Sequence, residues 1–176
     1  MDRNSLLLVL LFALQAGVAA ASEPLMIRQL DWLIGDWNYE DKSVSGDYRE
    51  TGFRRCAYTL NENYILCEMH GETNSHKKRA ALMYFNYNHL DKRFEMTALF
   101  SDYPRKNLYA IEVFDKGHRL ELKNNSWSND GFTWMNSATI HYDGESRYVW
   151  DIRSGHPDAE TGEHPVTFRD TVVRID

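Results

Sequence analysis

The run Arg93-Phe94-Glu95-Met96-Thr97-Ala98-Leu99-Phe100 puts Phe94, Met96, Ala98 and Phe100 on one side of an extended chain and the intervening residues on the other. Period-two alternation of this kind marks a strand with one buried face. It recurs from residue 36 nearly to the C-terminus, broken by clusters of turn-forming residues at 43–47, 61–63, 71–75, 88–92, 102–105, 115–117, 128–131, 143–144 and 154–165. The punctuation predicts ten strands, at 36–42, 46–60, 63–71, 76–87, 92–101, 106–114, 118–125, 131–142, 145–153 and 165–175. Most connections are short enough to join antiparallel neighbours. A meander of ten such strands has two unpaired edges, and closing it removes both. The expected fold is therefore all-β, an antiparallel up-and-down barrel of about ten strands with a short N-terminal helix. That helix is read over 24–34 from Met26, Leu30 and Ile34 at steps of four, with Leu33 beside them and Gly35 ending it.

A barrel of ten strands encloses more room than one of eight, so side chains fill it only partly and a ligand cavity is expected. The chain is also 13% aromatic, and a filled interior is the other outcome that this bulk allows.

The first 21 residues are expected to be a signal peptide rather than part of the fold. Arg3 precedes an apolar run at 6–14, and Ala19-Ala20-Ala21 supplies the small residues that a signal peptidase requires. Residues 22–176 then form one barrel domain, exported to a periplasm or secreted. The apolar run is too short to span a bilayer, and no later stretch approaches about 20 uninterrupted apolar residues, so no membrane span is expected. Lys and Arg number 20 against 26 Asp and Glu, a net charge of −6. That balance weighs against nucleic acid and against anionic lipid as partners.

Residues 30–37, Leu-Asp-Trp-Leu-Ile-Gly-Asp-Trp, have the form Leu-x-x-Leu-x-Gly-x-Trp directly before the first strand. This resembles the opening of lipocalin-like barrels of the calycin superfamily, most closely bacterial lipocalin-like domains of unknown function. Weaker similarity continues through 85–88, 92–94 and 172–174. The resemblance implies a short helix plugging one end of the barrel, with Gly35 letting the chain turn into strand one. It also implies a structural role for Trp37, packed at the closed end beneath an arginine from a late strand, Arg169 or Arg174. Lipocalin signatures beyond Gly-x-Trp are absent, so the resemblance carries no particular ligand with it.

Cys56 and Cys67 lie symmetrically about the turn near Asn61-Glu62-Asn63. A four-residue loop from Leu60 to Asn63 would place them opposite each other as a non-hydrogen-bonded pair, the closer kind that suits a cross-strand disulfide. The seven histidines form no metal-ligand spacing, and Asp158, Glu160 and Glu163 lack the pattern of a calcium loop. No metal is nominated and the cofactor is unknown. Asn124-Asn125-Ser126 fits a glycosylation acceptor only in a eukaryotic exporter. There is no Gly-x-Ser-x-Gly turn, phosphate-binding glycine loop or zinc signature.

Polar residues that share a strand face with apolar ones are the remaining clue. Asn136 follows Phe132 and Trp134 on the eighth strand; Asp170 and Arg174 alternate with Phe168 and Val172 on the last; Glu112 lies on a face with Leu108, Ala110 and Phe114 on the sixth. If those faces point inward, buried charges need partners, water or a ligand head group. The expected site therefore uses Glu112, Asn136, Asp170 and Arg174 to orient a small apolar or amphipathic ligand, whose body rests on Phe94, Met96, Trp134, Trp150 and Phe168. The expected function is an exported binding or carrier protein. The alternatives are a barrel enzyme using interior carboxylates such as Glu112 or Asp170 as acid and base, and a structural or interaction barrel with a filled interior.

Overall fold

A computed structural model describes residues 26–124 and 135–175. Ten strands follow one another: β1 (Gly35–Ser43), β2 (Arg49–Thr59), β3 (Tyr64–Thr73), β4 (Lys78–Asn88), β5 (Arg93–Phe100), β6 (Tyr103–Phe114), β7 (Arg119–Asn124), β8 (Ser137–Tyr142), β9 (Arg147–Arg153) and β10 (Val166–Arg174). Each pairs antiparallel with its predecessor, and β10 pairs with β1 to close the barrel. The proposed signal segment, Trp127, Phe132, Trp134 and most of the glycosylation acceptor lie outside the described residues. No described helix is long and apolar enough to cross a membrane. Exposed Arg49, Arg55, Glu68 and Glu72 stand on the outward faces of β2 and β3, and charged side chains are disfavoured on a lipid-facing wall.

Register decides which face of each strand is inside. Phe94, Met96 and Ala98 are buried, and their partners Ile111, Tyr109 and Asn107 on β6 share that face. The sixth-strand expectation is thereby reversed. Leu108 is 39% exposed, and Glu112 is exposed on the outer wall, where Lys123 approaches it at 3.5 Å. Both faces of this strand carry apolar residues, so alternation alone offers two choices; only cross-strand pairing selects one.

The expected short helix is present as 3-10 turns over Met26–Leu33, broken at Leu30, where φ is −106 and ψ 17. Its buried residues are Ile27, Leu30 and Leu33, three apart. Just beyond it, the Trp37 indole donates to Leu33 O at 2.9 Å. Arg174 lies over the Trp37 ring at 4.1 Å and donates to Ile34 O and Trp32 O, each at 2.9 Å. Gly35 makes this approach feasible: at φ +134, a Cβ there would lie 2.4 Å from Arg174 Nη1. Arg174 therefore closes the barrel and is no part of its interior ligand set, while Arg169 pairs outside with Asp151 at 2.6 Å.

Cys56 and Cys67 are register partners with Cα atoms 4.0 Å apart, and they form a disulfide. The loop between their strands is the four-residue Leu60–Asn63 connection, with Leu60, Asn61 and Glu62 all at positive φ. Both cysteines are buried in the core.

Candidate ligand cavity

The interior is apolar near the plug and polar farther up. Since Trp37 points inward, so do Tyr39 and Asp41 on β1; since Cys56 does, so do Arg54 and Glu50 on β2. Pairing then sets Asp170, Asp41 and Glu50 side by side across β10, β1 and β2.

Arg54 is 2% exposed and reaches Asp170 Oδ2 at 2.7 Å and the Tyr148 hydroxyl at 2.5 Å. The Tyr39, Tyr148 and Trp150 rings surround its guanidinium at 5.4–5.6 Å. Burial pushes the Tyr148 hydroxyl up to about 12, against the opposing pull of Arg54, so it stays protonated. Glu50 accepts from Tyr39 at 2.5 Å and from Tyr48, and it binds Arg79 at 2.6 Å. Arg79 in turn reaches Asp102 at 2.9 Å, beside Lys77 at 3.0 Å.

Two glycines seat this arrangement. Tyr39 pairs with Gly52, which pairs with Gly71, and a Cβ on Gly71 would fall 2.1 Å from the Tyr39 hydroxyl and 2.6 Å from Glu50 Oε1. The bare backbone lets the tyrosine lie across two strands and deliver its hydroxyl to Glu50.

Above this layer is a cavity of about 50 Å³. Met69, Met83, Met96, Ala98, Met135 and Ile152 form much of its apolar wall, while Asp41, Glu50, Arg54, Trp150 and Asp170 supply polar atoms. Among the described residues, the buried side-chain polar atoms without a hydrogen-bond partner are Asp41 Oδ1, Arg54 Nε, Trp150 Nε1 and Asp170 Oδ1. All four belong to residues lining this cavity. Burial pushes Asp41 up to about 7, helped by the neighbouring Asp170 and Glu50 carboxylates and opposed by Arg79 and Arg54. Burial also raises Asp170, with Arg54 opposing.

Of the residues named from the sequence, Met96, Trp150 and Asp170 line the cavity. Phe94 is buried in the core, and Phe168 is half-buried with its ring edge-on to Tyr48 at 5.6 Å. Asn136 turns to the β9–β10 connection, hydrogen-bonding Gly155 O at 3.3 Å and the His164 ring at 2.8 Å. Glu112 and Arg174 lie elsewhere, as described above. Sequence reasoning missed Tyr39, Asp41, Glu50 and Arg54. Their signal was their even spacing from Trp37, expected at the closed end, and from Cys56, whose burial the structure shows.

No protein-family model matches the chain, and no curated protein matches it by sequence. Among solved structures, a de novo designed fluorescence-activating β-barrel is similar with a TM-score of 0.43 and 9% identity, covering 85% of this chain and 100% of that one. The designed barrel EF1p2_mFAP2b, solved bound to DFHBI, gives a TM-score of 0.46 at 11% identity, with 85% and 99% coverage. A redesigned barrel, b11L5F_LGL, gives 0.45 at 10% identity, with 87% and 100% coverage.

Proposed function

We propose that this chain is an exported carrier for a small amphipathic ligand held inside the barrel. The observation that carries the reading is that the four unpartnered buried polar atoms all belong to residues lining one cavity. Leaving a buried donor or acceptor unsatisfied costs about 1–3 kcal/mol, so a chain that folds with four has strong reason to fill the space. Arg54 Nε and Trp150 Nε1 call for an acceptor, and Asp41 and Asp170 for a donor. The ligand's body would lie on the apolar wall.

The cavity is smaller than the roughly 300–1,000 Å³ of pockets for drug-sized molecules. A compact ligand fits that volume, and four methionines in the wall supply unbranched side chains able to change rotamer around a larger one. Export is supported by the apolar run and alanine triplet near the N-terminus and by the disulfide, a bond that persists in oxidising compartments.

Native mass spectrometry of the protein recovered from its exported fraction, compared with the cavity-filling variant Ala98→Leu, tests the proposal. A reproducible small bound mass in the natural chain that is absent from the folded variant is the expected result. An apoprotein mass alone, or an adduct that survives Ala98→Leu, would count against it.

A further inference from the structure

The head group of the ligand can be named more closely, and this step rests on the carrier reading. Three inward carboxylates stand in a row, Asp170 beside Asp41 and Asp41 beside Glu50. The outer two each have an arginine, Arg54 on Asp170 at 2.7 Å and Arg79 on Glu50 at 2.6 Å. Those arginines are further engaged, Arg54 by Tyr148 and Arg79 by Asp102. Asp41, in the middle, is 7% exposed, and its Oδ1 has no hydrogen-bond partner. The buried row is thus one positive charge short at its centre.

We propose that a ligand ammonium group supplies that charge: the carried molecule is a small primary amine with a short apolar body, donating to Asp41 Oδ1 and Asp170 Oδ1. The Trp150 ring beside the row offers a cation an aromatic face, and Met96, Ala98 and Ile152 receive the hydrocarbon. A carboxylate or phosphate ligand would meet three acids here and be repelled. A neutral alcohol would donate one hydrogen bond and leave the charge uncompensated. The three carboxylates do not converge as ligands of a metal ion would. A cavity of about 50 Å³ suits a molecule of a few heavy atoms.

Without a ligand, Asp41 holds a proton until about pH 7, under burial and the facing Asp170 of β10 and Glu50 of β2, with Arg54 of β2 and Arg79 of β4 opposing. Tyr39 on the same strand stays protonated, since burial and Glu50 raise its hydroxyl. An alkylamine remains cationic to about pH 10. Its affinity therefore rises as pH climbs towards about 7 and then levels, whereas binding of a neutral molecule has no such rise.

The probes are n-butylammonium, n-butanol and butyrate, titrated into the whole folded protein and followed by NMR at the Trp150 indole N–H. At about pH 8, n-butylammonium should shift that resonance saturably and bind about tenfold or more tighter than n-butanol, with no saturable shift from butyrate. Lowering the pH to about 5.5 should weaken the amine by about thirtyfold, and Asp41→Asn should abolish the preference of amine over alcohol. The pH series on the natural chain carries the test should Asp41→Asn fail to fold. Equal or tighter binding of butanol or butyrate, pH-independent amine binding, or an amine preference retained in folded Asp41→Asn would overturn the assignment. Butanol binding without amine binding would do so while leaving the carrier reading intact. Silence from all three probes would also overturn it, with the native-mass comparison then judging the carrier reading separately.

Discussion

Arg54 and Asp170 form an ion pair in the middle of the barrel, and each is nearly sealed from water. Deleting one member of such a pair strands the other charge. Arg54→Met is expected to lower unfolding free energy by about 3–5 kcal/mol in a denaturant titration, whereas Arg54→Met combined with Asp170→Leu recovers most of that loss. Asp41 acts in the opposite sense. With its folded-state value raised to about 7, the native chain keeps a proton there that the unfolded chain has released by about pH 4. Stability from this group falls as pH rises through that window, by about 1.4 kcal/mol per pH unit, and stops falling above about pH 7. Asp41→Asn removes the penalty, so its stability advantage over the natural chain should grow by roughly 2 kcal/mol between about pH 5 and pH 7.5, measured by thermal or urea unfolding. Residue identity alone conceals these roles. A sequence reader sees Phe53-Arg54-Arg55-Cys56 as a polar stretch, yet Arg54 shares the face of buried Cys56 while Arg55 meets Asp36 outside at 2.7 Å.

At the level of elements, strand positions were legible because period-two alternation and turn residues report on local geometry, and each of the ten predicted segments overlaps one observed strand, with ends that differ by a few residues. Inward parity of β6 was not legible, since the partner strand fixes it through long-range pairing. The short helix was legible, but not the set of residues it buries: Met26, Leu30 and Ile34 were the expected stripe, while tertiary packing buries Ile27, Leu30 and Leu33. The cysteine hairpin followed directly from symmetry about its loop. Replacing both cysteines by alanine should cost about 2–3 kcal/mol by the loop-entropy argument, with reduction of the natural chain giving a similar fall in Tm. The glycine seat makes a sharper demand: Gly71→Ala would drive a methyl into the Tyr39 hydroxyl and Glu50. It should destabilise the fold by about 1–3 kcal/mol, and Tyr39→Phe in the same chain should not restore full stability, because the Glu50 carboxylate still stands in the way.

Across the whole molecule, closure of β1 on β10 is what brings the distant residues 54 and 170 into contact and leaves no exposed sheet edge among the described residues. The same closure divides the interior into a sealed end, capped by Trp37, Arg174 and the 3-10 helix, and a polar-lined cavity above it. The sequence announced the sealed end through Gly-x-Trp, a contiguous motif. It announced the cavity only through Met96, Trp150 and Asp170, because the rest of the wall comes from strands whose facing depends on register. If one ligand fills the polar-lined cavity, its head group sits on the unpartnered carboxylate oxygens of Asp41 and Asp170. A crystal structure at atomic resolution of protein recovered from its exported fraction decides this. Continuous density for an organic molecule touching both carboxylates is expected. A cluster of ordered waters satisfying those oxygens, or side chains collapsed to erase the cavity, would refute it.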